Sequence, residues 1–191
     1  MLNNMKPAVF LDRDGTINVE KNHLYKPGDW EWIPGAREAI KGFNELGFAV
    51  IVVTNQSGIA RGMYNAEDVN RLHSFVDSQL LEFSVHIDGY YFCPHHPDFG
   101  ENRNCSCRKP KPGLLFKAQQ EHGIDLSRSF TIGDKISDIL AGLAVGTGAI
   151  LVATGYGDSE RRRLCNERIW VAEDLLDAYR MIRTGLAING G

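Results

Sequence analysis

The chain has 191 residues and a mass of 21.3 kDa, enough for one domain (residues 1–191) with a sizeable core. A 43% hydrophobic and 24% charged composition excludes a disordered tail, a collagen-like fibre and a disulfide-dense miniprotein. A net charge of −3 and a pI near 6.1 leave no basic footprint for nucleic acid or anionic membrane, and no apolar run reaches the ~20 residues of a membrane helix.

The elements alternate along the chain. Ala8-Val9-Phe10-Leu11 reads as a buried strand stopping at Asp12, and apolar residues at helical spacing predict a helix over 35–46, closed by Gly47. Residues 48–53 form the strongest strand pattern, ending at Thr54. A second helix is predicted over 66–82, with Val69, Leu72, Phe75, Val76 and Leu80 on one face. A strand at 87–92 leads into an irregular polar stretch that lasts to Pro112. Beyond it come a helix at 113–122, a strand at 129–132, a helix at 136–145 and a strand at 149–152. A short strand near Trp170-Val171 and a helix over roughly 173–184 complete the pattern, with Asn189-Gly190-Gly191 expected to fray. Continuous apolar strands separated by helices predict an α/β fold, a Rossmann-like parallel sheet with helices on both faces. Ligands of such sheets sit at the carboxyl ends of the strands. There stand Asp12-Arg13-Asp14-Gly15-Thr16, Thr54-Asn55-Gln56-Ser57-Gly58 and Gly133-Asp134-Lys135, expected to meet on one edge.

Asp12 and Asp14 are two apart, so both side chains can face one side. Carboxylates that close either share a proton or hold a divalent cation; on spacing alone, a turn with capping aspartates is the alternative. Rival phosphate chemistry is absent, since no Gly-x-x-x-x-Gly-Lys-Ser/Thr occurs and Gly155-x-Gly157 is too short for a dinucleotide fingerprint. Ser57 lacks the Gly-x-Ser-x-Gly elbow of a serine hydrolase. Cys93, His95, Cys105 and Cys107 fall within fifteen residues, a Cys₃His set suited to tetrahedral structural zinc. His96 reads as a neighbour rather than a ligand. The metal would give shape to a loop, Asp98 to Asn104, that cannot pack a core of its own. Trp30 and Trp32 read as packing of a short hairpin, and Cys165 and Arg161-Arg162-Arg163 as ordinary surface or helix content.

Asp12-x-Asp14-Gly15-Thr16, then Thr54, Lys109 and Gly133-Asp134-x-x-x-Asp138, in that order and each at a strand end, resemble the haloacid dehalogenase phosphatase superfamily over about residues 7–154. The resemblance implies a Mg²⁺-dependent phosphatase. Asp12 would be the nucleophile, Asp14 the general acid and base, Thr54 the hydrogen-bond donor to the phosphoryl group and Lys109 its counter-charge. Asp12, the backbone carbonyl of Asp14 and Asp134 would hold the Mg²⁺, with Asp138 orienting them. Too little chain separates these motifs for a cap domain, so loops must grip the substrate. Within the superfamily, Cys93-Pro94-His95-His96-Pro97 and Cys105-x-Cys107-Arg108-Lys109-Pro110 resemble two phosphatase families, one acting on heptose 1,7-bisphosphate and one on histidinol phosphate. The nine residues between His95 and Cys105, longer than the histidinol-phosphatase pattern, favour the first. It implies removal of the C7 phosphate in the making of lipopolysaccharide or surface-glycan precursors.

By that resemblance Glu20, Lys21, Asn22, His23, Asn55, Gln56, Ser57, Arg108 and Lys135 would contact the sugar or its second phosphate. Residues 20–23 depart from the family's usual acidic, aromatic and glycine pattern. The expected partner is a small phosphorylated sugar, with no nucleic acid and no membrane. Met1-Leu2-Asn3-Asn4-Met5-Lys6-Pro7 lacks the apolar core of a secretory signal, so a cytosolic monomer is expected. From another class, a catalytically silent zinc-stapled binding module would have no need of the nucleophile.

Overall fold

The computed structural model describes residues 5–163 and 169–185. Cys165 and Asn189-Gly190-Gly191 lie outside the described residues. Six strands form one parallel sheet in the order β3-β2-β1-β4-β5-β6: β1 (Ala8–Leu11), β2 (Ala49–Asn55), β3 (Gly89–Cys93), β4 (Phe130–Gly133), β5 (Gly148–Val152) and β6 (Trp170–Ala172). The helices are α1 (Ala36–Glu45), α2 (Ala66–Leu81), α3 (Gly113–His122), α4 (Ile136–Leu143), α5 (Gly157–Arg161) and α6 (Leu175–Arg183). None of the described helices is long and apolar enough to cross a membrane.

Alternation along the strands splits the core in two. Val9, Leu11, Val50 and Val52 pack with Ile40 and Phe43 of α1, Val76 and Leu80 of α2 and Leu175 of α6. Ala8, Phe10, Ala49, Ile51 and Val53 face the other way, against Leu115 and Ala118 of α3 and Ala141 of α4. Burial on both faces is why these strands read as unbroken apolar runs.

The sheet sets the site. The chain runs outward from β1 through β2 to β3, then crosses back to place β4 on the other side of β1. The strand order therefore reverses at β1, where a crevice opens beyond the carboxyl ends. Leu11 is in register with both Val52 and Ile132, so Asp12, Thr54 and Asp134 leave the sheet at nearly one level. Asn55 lies in register with Cys93, which brings the Cys/His loop to the same edge. No helix of more than one turn interrupts residues 12–35, and none interrupts 94–112, so the crevice has no cap among the described residues.

Boundaries agree with the sequence pattern to within a few residues, and the differences have local causes. The third strand starts at Gly89 rather than residue 87, because the Asp88 carboxylate accepts the backbone N–H of Val50 at 2.8 Å and ends the pairing there. Helix α2 buries His73 and leaves Phe75 half-buried, the reverse of an apolar-face reading. The short helix α5 has no apolar period to announce it; its Glu160 accepts the backbone N–H of Ile136 at the start of α4 (3.0 Å). Trp30 and Trp32 pack edge-on at 5.1 Å beside a short antiparallel pairing, Val19 N–H to Glu31 O and Ile33 N–H to Ile17 O, as expected of a hairpin. Arg161, Arg162 and Arg163 are exposed, with Arg163 paired to Glu160 at 2.9 Å.

Candidate active site

A cavity of about 330 Å³ opens at the reversal point. Its floor is a buried cluster of charge. The Lys109 ammonium lies 2.8 Å from Asp12 Oδ1 and 2.7 Å from Asp138 Oδ1, and also donates to Val53 O. Burial alone would favour neutral Lys109, but Asp12 and Asp138 outweigh it and raise its pKa, so the cation persists. Burial, reinforced by the charge of Asp12, pushes Asp134 up to about 8. Burial likewise raises Asp138, to about 6, with Lys109 pulling the other way. The cations beside them, Lys109 at 2.7 Å from Asp138 and Lys135 at 3.7 Å from Asp134, do not offset burial and the charge of Asp12.

A divalent cation fits that deficit. Carboxylate oxygens of Asp12, Asp134 and Asp138 lie within 4.8 Å of one another, a hard-oxygen set of the kind that holds Mg²⁺. Asp134 Oδ2 accepts the backbone N–H of Tyr156 at 2.8 Å, whereas its buried Oδ1 has no hydrogen-bond partner and only the Lys135 ammonium at 3.7 Å. Gly15 and Gly155, both at positive φ, press on this carboxylate; a Cβ on either would sit 2.2 Å from Asp134 Oδ2. Gly15→Ala therefore combines left-handed strain of ~1–2 kcal/mol with displacement of Asp134. The expected outcome is at least a tenfold rise in the Mg²⁺ concentration for half-maximal phosphate release, read from a metal titration.

Asp14 is placed differently. Its carboxylate turns away from that cluster and accepts Arg13 Nη2 (2.9 Å), Gln56 Nε2 (2.9 Å) and Asn18 Nδ2 (3.1 Å). Burial works to raise its pKa, but the Arg13 guanidinium and these hydrogen bonds prevail and lower it. Its carboxylate is therefore not part of the Asp12, Asp134 and Asp138 set.

The second cluster fits zinc. Cys93, His95, Cys105 and Cys107 converge with ligand atoms within 4.8 Å of one another. The sulfurs of Cys107 and Cys105 lie 3.2 and 3.6 Å from that of Cys93, and His95 Nδ1 lies 3.3 Å from Cys107 Sγ. These separations exceed the ~2.05 Å of a disulfide and approach the edges, about 3.4–3.8 Å, of a tetrahedron with Zn–S and Zn–N bonds. His96 bonds elsewhere, to Arg61 at 3.1 Å and to the Asp98 N–H at 3.1 Å.

The structure brings together Asp12, Asp14, Thr54, Lys109, Asp138, Glu20, Asn22, His23, Asn55, Gln56, Ser57, Arg108 and Lys135 around the cavity. Lys21 is not among them; its ammonium points outward to Glu31 at 2.9 Å. Two other expected substrate contacts are already committed. Asn55 makes a two-way pair with the backbone of Lys109, N–H to Oδ1 and Nδ2 to O, both 3.1 Å. Gln56 is 2% exposed, with both ends of its amide bonded to protein. Arg108 donates to His95 O at 3.0 Å, which ties it to the Cys/His loop, and Lys135 pairs with Glu20 at 3.3 Å. Sequence reasoning missed Arg13, 1% exposed, as well as Tyr64, Ser137 and Tyr156 on the cavity wall. An arginine between two aspartates was the visible signal for the first; the aromatics had none.

Known proteins complete the picture. The HAD-hydrolase-like family model matches residues 106–178. The D-glycero-beta-D-manno-heptose-1,7-bisphosphate 7-phosphatase of Photorhabdus laumondii is 46% identical over 93% of this chain and 97% of its own length. That of Yersinia pestis is 43% identical over 93% and 95%. The chain belongs to this heptose-bisphosphate phosphatase family. The phosphatase is also similar in fold to the D,D-heptose 1,7-bisphosphate phosphatase of B. bronchiseptica, solved with magnesium and phosphate, at a TM-score of 0.85 and 31% identity over 94% of this chain and 99% of that one. A neighbour from Burkholderia thailandensis with the same activity in its name aligns at 0.72 and 29% identity over the same shares.

Proposed function

We propose that this phosphatase removes the C7 phosphate of D-glycero-D-manno-heptose 1,7-bisphosphate, supplying a heptose precursor of lipopolysaccharide, through an aspartyl-phosphate on Asp12. The observation that carries this is the buried Asp12–Lys109–Asp138 cluster at the floor of a polar cavity, in a chain that matches heptose-bisphosphate phosphatases over nearly the whole length of both. Mg²⁺, held by Asp12, Asp134 and the Asp14 carbonyl, supplies the positive charge that lets a carboxylate approach a phosphate dianion.

Asp12 attacks phosphorus, and the P–O bond to C7 breaks. Asp14, ionised in the resting site, takes up a proton from solvent before this step and gives it to the departing alkoxide; as carboxylate it then takes one from the water that hydrolyses the acyl phosphate. Thr54 and Lys109 bind the phosphoryl oxygens as charge builds there. Arg108 and Lys135, on the cavity wall, bind the phosphate that is not cleaved. Zinc on Cys93, His95, Cys105 and Cys107 holds the loop that presents Arg108 and Lys109. The reading needs no residue from a second copy and takes the enzyme as a single-domain monomer, and thiols kept as metal ligands suit the reducing cytoplasm.

The test is phosphate release from heptose 1,7-bisphosphate and from histidinol phosphate, compared as kcat/KM. A preference of ~100-fold or more for the bisphosphate, about 2.7 kcal/mol of transition-state discrimination, is expected. A preference for histidinol phosphate overturns the assigned substrate.

A further inference from the structure

Tyr64 touches neither the floor cluster nor any metal candidate, yet it sits 7% exposed on the cavity wall. Its hydroxyl donates to Gln56 Oε1 at 2.7 Å. The same amide spends its two N–H bonds on the site: Gln56 Nε2 donates to Asp14 Oδ2 at 2.9 Å and to Thr54 Oγ1 at 2.8 Å. An amide turned end for end would set Oε1 against the Asp14 carboxylate, two acceptors facing each other. Asp14 thus sets which way the amide faces, and the Tyr64 hydroxyl, donating to Oε1, fixes its position from the other end. Burial pushes the Tyr64 hydroxyl up to about 12, so it keeps the proton it donates.

The ring itself is held from two sides. Tyr25 stacks on it at 5.0 Å with 19° between planes. Gly58 lies so close that a Cβ there would fall 2.1 Å from the Tyr64 ring, which explains a glycine two residues after Gln56. The donation also decides what Thr54 can do. With Oγ1 accepting from Gln56, the Thr54 hydroxyl proton is free to point at an incoming phosphoryl oxygen.

We propose that Tyr64 is a positioning residue: through Gln56 it fixes the Asp14 carboxyl where the leaving oxygen departs and turns the Thr54 hydroxyl toward the phosphoryl group. This rests on the reading of Asp14 as the acid that protonates the leaving alkoxide. Gln56 is thereby a second positioning residue rather than a substrate contact.

The test uses leaving groups. An alkoxide needs a proton as it departs, whereas p-nitrophenolate leaves as a stable anion and needs none. kcat/KM reports only the steps through departure of the leaving group, so later hydrolysis of the phosphoenzyme does not blur it. For Tyr64→Phe, the ratio of kcat/KM on heptose 1,7-bisphosphate to that on p-nitrophenyl phosphate is expected to fall about tenfold from the native ratio. Gln56→Leu lowers the ratio at least as far and raises KM for both substrates, because Thr54 loses its partner too. Both substrates are assayed on one sample, so a partly unfolded variant leaves the ratio intact. An unchanged ratio, whether both rates drop equally or neither moves, overturns the positioning role. A native enzyme inert toward the bisphosphate overturns only the proposed substrate, and histidinol phosphate then serves as the alkyl arm of the same comparison.

Discussion

Asp12→Asn is expected to lower phosphate release by about 10⁴-fold or more while leaving a folded protein, because an amide of the same shape cannot form the acyl phosphate. The fold survives for a reason visible in the cluster. Lys109 keeps Asp138 at 2.7 Å and the Val53 carbonyl, so no buried cation is orphaned. The stability of the metal-free protein should change little, because two effects oppose. Asp134 and Asp138 have pKa values raised first by burial and further by the charge of Asp12. A carboxyl with a raised folded pKa binds its proton more tightly in the fold than in the unfolded chain, so ionising it costs stability as pH climbs from the ordinary carboxylate range through the raised value. Removing the charge of Asp12 lessens that cost for both neighbours, and at the same time withdraws the charge that most raises the pKa values of Lys109 and Lys135. Melting curves at pH 7 in chelator should therefore lie close to those of the native protein, while a phosphate-release assay shows the variant inactive. Residual turnover near the native rate would overturn the assignment of the nucleophile, and a binding module that has lost catalysis would show no difference in turnover at all.

Removing the zinc proposed for the Cys/His cluster is the second large effect, and it should act on stability and activity together. A metal bridging Cys93 and Cys107 closes a loop of fifteen residues, and in the chain-entropy picture a cross-link of that length contributes about 3 kcal/mol. For a chain of this size that corresponds to a fall in Tm of about 6–12 °C. Activity follows because the loop delivers the site: Arg108 is tied to the His95 carbonyl, and Lys109 to Asn55 through two hydrogen bonds. Cys107→Ser, or treatment with a zinc chelator followed by excess Mg²⁺, should lower Tm and reduce kcat/KM at least tenfold. Withdrawing Mg²⁺ alone should abolish turnover with a much smaller thermal shift. Equal shifts after the two treatments would contradict a structural role for zinc.

Much of this was legible in the sequence because the relevant chemistry is local. Strands buried on both faces announce themselves as apolar runs, and the residue after each run stands at the carboxyl edge whatever the rest of the chain does. Asp12, Thr54 and Asp134 could be placed that way, and the Cys/His set by its crowding within one short loop. Gly15 could likewise be read as a turn former, since its exit from β1 is a backbone matter.

Tertiary structure alone decided which of several possible partners each polar side chain took. Asn55 ends β2 and Gln56 follows it at the mouth of the site, where both read naturally as substrate contacts, yet their amides face inward, to the backbone of Lys109 and to Asp14, 54 and 42 residues away. Lys21 belongs to the same loop as Glu20 but turns to Glu31. Arg13 has the composition of a surface residue and is instead buried, its charge answered by Asp14 and its remaining donors by Leu24 O and His73. Tyr64 and His73 carry no motif. The physical reason is common to all of them: apolar burial is written residue by residue as pattern, whereas a hydrogen bond between distant side chains depends on the loop path and sheet register that bring donor and acceptor within 3 Å.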